Sequence, residues 1–197
     1  MAERVELCFG GFGGQGIVLM GTLLGSAAVK EGLWAAGSNS YGAQARGSAC
    51  KAEVVLSSKP VDFPRVVEAD LLVALSQEAC ERFSPLLTVG GILIHDVPGV
   101  VPPPGVDAVQ VPIQGTKVAL EKLGSTQPVN MVFLGALAGM TALVSLAALV
   151  QAMEEIVSAG FVELNRRALE EGFSMGVTAR ESIPAKFTDR FLIPRAR

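Results

Sequence analysis

The chain has 197 residues, enough for one domain of ordinary size or for one domain with an appended tail. Half of the residues are hydrophobic, only 18% are charged and the mean hydropathy is +0.45, which excludes a disordered chain. A net charge of −3 and an aromatic content of 6% give neither the basic surface nor the stacking platform of a nucleic-acid binder.

Met1 to Arg4 leads into the strand-like Val5–Phe9 rather than into a long apolar core with a cleavage site, so no secretory signal is expected. The glycine-rich run 10–16 follows, and Ile17–Lys30 reads as a helix apolar on all sides, with Gly32 as its C-terminal stop. Leu33–Ala36 reads as a short strand and 37–42 as a loop. Further strands are expected at Ala52–Leu56, Asp70–Leu75, Gly91–His95 and Ala108–Val111, and Ser76 is placed to cap a short helix. Several of these strands are unbroken apolar runs, as strands covered on both faces are. Strand and helix signals alternate up to Ile113 and helices follow. The expected fold is therefore α/β: a Rossmann-like, doubly wound, mostly parallel sheet with a helical C-terminal half.

Between Lys122 and Glu154 there is no charged residue, and Gly135 and Gly139 form a GxxxG within the apolar run Met131–Val150. A hydropathy window reads this run as a membrane span. Thr141 and Ser145 interrupt it, Ser145 can cap a second helix over 146–158 that ends at Gly160, and aromatic belts are lacking. The preferred reading is two short buried helices, one of them in a subunit interface. Residues 1–178 are taken as one domain and 179–197 as a tail, either mobile or docked on a partner.

Gly11-Phe12-Gly13-Gly14-Gln15-Gly16 fits GxGxxG between a strand and a helix. Glycines allow the tight turn, and backbone N–H groups at a helix N-terminus attract an anion such as a phosphate. An NAD site needs an acidic residue about 20 positions on, and residues 32–52 contain none. Gln15 either reaches a ligand or braces a neighbouring loop. A second cluster, Ser40, Tyr41 and Arg46, should emerge at the same sheet edge and supplies hydroxyls and a fixed positive charge. His95 is the only histidine and reads as a hydrogen-bonded residue at a strand's end. Cys8, Cys50 and Cys80 lack a CxxC and read as reduced apolar residues, with no metal site expected. No catalytic set is complete, so no catalytic residue is assigned.

The loop Gly10–Val18, the run Ser40-Tyr41-Gly42-Ala43-Gln44-Ala45-Arg46-Gly47 and Val54–Ser57 resemble the gamma subunit of 2-oxoacid:ferredoxin oxidoreductases. So do Ala69–Gln77, Gly90–Ile94 and Asn130 with Leu134-Gly135-Ala136, and the likeness extends over about residues 4–175. One departure is Ser48, where the family commonly has glycine. The resemblance implies a cytoplasmic complex that oxidatively decarboxylates a 2-oxoacid, forms acyl-coenzyme A and passes electrons to ferredoxin or a similar acceptor. Thiamine diphosphate and iron–sulfur clusters would then lie on alpha, beta and delta-type partner subunits. Coenzyme A, as co-substrate, would meet Gly11, Gly13, Gly14, Gln15 and Gly16 and the second loop of Ser40, Tyr41 and Arg46. The isolated chain is open to homodimerisation. The alternative reading is a stand-alone nucleotide- or dinucleotide-binding regulatory module.

Overall fold

A computed structural model describes residues 3–40 and 49–195. The six strands are β1 (Arg4–Phe12), β2 (Trp34–Ser40), β3 (Ala49–Ser57), β4 (Ala69–Ala74), β5 (Leu87–Asp96) and β6 (Ala108–Ile113), in the order β2-β3-β1-β4-β5-β6. Strands β1, β4, β5 and β6 pair in parallel. The α/β class, the mostly parallel sheet and the helical second half are as expected. Strand β3 is the exception, antiparallel to both β1 and β2. Only the eight residues 41–48 join β2 to β3, whereas a parallel partner requires a crossover of a dozen or more.

The helices are α1 (Ile17–Lys30), α2 (Gln77–Phe83), α3 (Gly115–Leu123), α4 (Val129–Thr141), α5 (Leu146–Ile156), α6 (Ala159–Glu181) and the single turn α7 (Ala185–Thr188). Alternate side chains of the central strands enter separate cores. Leu7, Phe9, Leu71, Val73, Ile92 and Ile94 pack on the side of α1 and α4. Cys8, Val55, Leu72 and Leu93 pack on the side of α2. Burial on both faces is why these strands read as unbroken apolar runs.

Ser76 caps α2 by accepting from Ala79 N, and Ser145 caps α5 by accepting from Ala148 N. The apolar run 131–150 is thus two helices, broken at Ala142, whose φ of 56° lies in the left-handed region. Among the described residues no helix is long and apolar enough to cross a membrane. The second helix ends at Ile156 rather than Ser158, and Gly160 belongs to the first turn of α6.

Helix α4, one of the two helices considered for a subunit interface, is buried within its own chain from Asn130 to Thr141. Its glycines face a second pair on α6, Gly172 and Gly176. A Cβ added at Gly135 would stand 2.2 Å from Leu169 O, and one added at Gly176 would stand 2.0 Å from Ala136 O. No real side chain fits at such distances, so the two helix backbones touch. Helix α6 runs through residue 178 to Glu181, and the segment after it folds back on the domain with Phe191 fully buried. Arg190 approaches Asp70 at 3.7 Å, and Arg195 pairs with Glu31 at 2.8 Å.

Gly176→Ala is expected to lower the unfolding free energy of the chain by about 3 kcal/mol, because the obstructing atoms are backbone and not a yielding side chain. Gly160→Ala, with nothing within 4 Å of the new methyl, should leave stability unchanged or raise it by less than about 1 kcal/mol. Urea denaturation of both variants checks the contrast.

Candidate functional site

The glycine run divides at the end of β1. Gly10 and Gly11 are not loop residues, as read from the sequence, but the last buried part of the strand, paired with Lys51 and Cys50 of β3. Glycine is needed there for close approach: a Cβ on Gly10 would meet the Phe83 ring at 2.7 Å, and one on Gly11 would meet Ile17 Cδ1 at 2.6 Å. The turn proper is 13–16, with Gly13 and Gly14 exposed and Gly16 in the left-handed region at φ 71° as the N-cap of α1.

Gln15 braces this turn. Its Oε1 accepts from Phe12 N at 2.7 Å, and its Nε2 donates to Leu75 O at 3.2 Å, at the end of β4. Both ends of the amide are thereby used within the chain, which decides between the two roles the sequence left open. The turn closes with Gln15 N donating to Phe12 O. Among the described residues, the amides of Gly13, Gly14 and Gly16 have no acceptor, and neither do those of Ile17, Val18 and Leu19 in the first turn of α1. Amides at the start of a 14-residue helix are free to donate to solvent or to an anion, and the helix dipole favours negative charge there.

Strands β1 and β2 run in the same direction, each antiparallel to β3, so both end at one rim. Lys51 lies opposite Gly10 on one side and opposite Ser40 on the other. Two strand spacings put the Ser40 and Gly10 backbones roughly 10 Å apart. Ser40 is therefore beside the turn, as the last, exposed residue of β2. Ser38 and Asn39, read as loop, are strand as well. Tyr41 and Arg46 lie outside the described residues.

A cleft of about 230 Å³ opens beside the turn, between Gly14, Gly16 and Leu19 on one wall and the starts of α4 and α6 on the other. Among the described residues, none of its lining side chains is charged. Asn130, 6% exposed, donates through Nδ2 to Gly16 O at 3.4 Å. A Cβ on Gly16 would meet this same amide nitrogen at 2.2 Å. Sequence reasoning placed Asn130 only as a point of family likeness. Its contact with the turn spans 114 residues of chain, and local pattern carries no signal of that.

The remaining chemistry-bearing groups are structural. His95 is buried, its Nδ1 3.0 Å from Val100 O, and burial holds its pKa below the ordinary histidine value. The three cysteines are buried thiols, and desolvation pushes Cys8 up to about 12 and Cys80 to about 11. Among the described residues no three His, Cys, Asp or Glu side chains gather to hold a metal ion.

Comparison with known proteins defines the class. The family described as pyruvate ferredoxin/flavodoxin oxidoreductase matches residues 6–175, and the chain belongs to it. A crystal structure of a keto/oxoacid ferredoxin oxidoreductase gamma subunit from Geobacter sulfurreducens superposes with a TM-score of 0.81 at 39% identity, over 90% of this chain and 99% of that one. The 2-oxoglutarate synthase subunit KorC of Methanocaldococcus jannaschii is 38% identical over 87% of this chain and 94% of its own length.

Within the family, the chain is thus a gamma-type subunit of a multi-subunit oxidoreductase, and the alternative of a free-standing regulatory module finds no support. The 2-oxoglutarate:ferredoxin oxidoreductase of Magnetococcus marinus, solved with 2-oxoglutarate, coenzyme A and succinyl-CoA bound, has the same fold. Its TM-score is 0.85 at 21% identity, and all of this chain corresponds to 34% of that one.

Gln15→Ala is expected to cost about 1–3 kcal/mol of stability, since it leaves two part-buried backbone groups without partners. The Cys8 thiol is held protonated by the fold while an unfolded thiol ionises near 9. Its contribution to stability is therefore complete below pH 9 and lost as the pH rises toward 12. Cys8→Ala should flatten the alkaline limb of a melting-temperature profile.

Proposed function

We propose that the chain is the gamma subunit of a 2-oxoglutarate-type 2-oxoacid:ferredoxin oxidoreductase, and that its glycine turn forms part of the coenzyme A site. The complex would convert a 2-oxoacid and coenzyme A to acyl-coenzyme A and carbon dioxide, with two electrons passing to ferredoxin. The likeness over 86–87% of the chain to subunits of 2-oxoglutarate synthases supports the reading. KorC of Methanothermobacter marburgensis, also a 2-oxoglutarate synthase subunit, is 40% identical over 86% of this chain. Thiamine diphosphate and iron–sulfur clusters are assigned to alpha, beta and delta-type partners, and the complex to the cytoplasm. Cys8, Cys50 and Cys80 lie on β1, β3 and α2 and number three, not the four thiolates that usually hold a cluster.

The donor set suits part of a coenzyme. Unpaired amides of Gly13, Gly14 and Gly16 offer hydrogen bonds to phosphate oxygens or carbonyls. Gln15 acts indirectly, by holding those amides still. Gly11 has a packing role under the turn. Ser40 at the same rim leads into Tyr41 and Arg46, to which the fixed positive charge for a phosphate is assigned. This subunit holds and orients the coenzyme, while bond-making is carried by thiamine diphosphate on its partners.

In the assembled complex, Arg46→Ala is expected to raise the KM for coenzyme A by roughly 10–100-fold, the loss of one charged hydrogen bond, with kcat and the KM for 2-oxoacid nearly unchanged. Steady-state assays of coenzyme-dependent ferredoxin reduction read this out, with 2-oxoglutarate, pyruvate and branched-chain 2-oxoacids compared as substrates. An unchanged coenzyme KM would remove the second loop from the site. A complex with no coenzyme-dependent turnover on any 2-oxoacid would remove the reading itself.

A further inference from the structure

Among the described residues the sheet has two outer strands, and only one is guarded. At the β6 edge Pro112 interrupts the row of donors. Strand β2, Trp-Ala-Ala-Gly-Ser-Asn-Ser, has seven residues with no proline and no charge, and its register with β3 runs without a bulge. Natural edges usually carry at least one of those devices, because an open row of N–H and C=O groups pairs with other chains.

The helix behind this edge is equally unguarded. Thr22 and Val29, on the outer side of α1, are exposed, and the only charge on the helix is Lys30 at its end. A surface helix normally presents charge to water. Between α1 and β2 runs a trough of about 480 Å³, floored by small residues including Gly25, Ala35 and Gly37. The two charged side chains at its rim are already paired, Lys30 with Glu155 and the buried Glu53 with Lys51 and Ser38. Trp34, the only tryptophan, is 51% exposed at the start of the strand.

We infer that this face docks another subunit of the complex, an uncharged extended segment of which adds to β2 as a seventh strand with bulky apolar side chains filling the trough. The inference rests on the proposed membership of a multi-subunit enzyme. A second copy of the chain fits less well, since two troughs lined by glycine, alanine and serine would leave each other empty. In the Magnetococcus enzyme this fold is about a third of a longer chain, so there it is joined to other protein. Main-chain pairing gives such an addition its affinity, and alternate side chains give it specificity.

Hydrogen–deuterium exchange of the native complex and of the isolated full-length chain tests the inference. The outward amides of 34–40 should exchange at least tenfold more slowly in the complex. Equal rates would overturn the inference. So would protection already present in the isolated chain and lost on dilution, because the occupant would then be a second copy. Thr22→Lys, on the exposed side of α1, should keep the isolated chain folded by circular dichroism yet weaken assembly at least tenfold; undiminished assembly also overturns the inference. A complex that turns over with coenzyme A while β2 stays unprotected refutes this docking and leaves the proposed function standing.

Discussion

The contact between the backbones of α4 and α6 governs the architecture of this subunit. Four glycines, two on each helix, let carbonyl oxygens of one helix lie where the side chains of the other would be. Close approach of this kind gains dispersion along the whole interface and permits Cα–H···O contacts. The two helices run in parallel, residues 132–139 of α4 lying beside 169–177 of α6. That alignment carries the start of α4 to the rim where β1 ends. Asn130 then reaches the carbonyl of Gly16, and Phe161 and Asn165 of α6 come to the same cleft. Packing deep in the helical layer thus sets the geometry of the glycine turn.

Around that turn the described residues supply dipoles rather than charges. Among the described residues the cleft has amide groups and apolar walls and no ionised side chain. Gln15 is the rigid element, fixing the turn to the end of β4 through both of its amide atoms. Donors held in place before a ligand arrives need little reorganisation on binding, which is where preorganised sites gain affinity. His95 is engaged with Val100, and burial pushes the thiols of Cys8 and Cys80 above the ordinary value.

What the sequence discloses follows from the range of the forces involved. Strand β1, helix α1 and the caps Ser76 and Ser145 are set by neighbours in the chain, and they are legible. So is the break in the apolar run 131–150. Strand β2 is longer than its sequence suggests because it is an edge. With one side unpaired among the described residues and its outer residues exposed, it needs no apolar run, and Ser38, Asn39 and Ser40 look like loop. The direction of β3 follows from the length of the 41–48 connection, which composition does not reveal. On α4, Gly135 and Gly139 stand out, whereas their partners Gly172 and Gly176 sit in an otherwise charged helix and draw no notice. Phe191 and Ile193 pack back on the domain from a segment with no clean period. The family likeness rests on the two loop motifs, while Asn130 gains its meaning only from the fold.

The glycine pairing also imposes an order on synthesis. Helix α4 is apolar on every side, and the residues that cover it, Gly172 and Gly176, are translated more than 30 positions later. At ordinary elongation rates the nascent helix waits roughly 2–7 seconds for its cover. Until then its apolar faces have no partner from α6, so the packing of α4 is completed only late in synthesis.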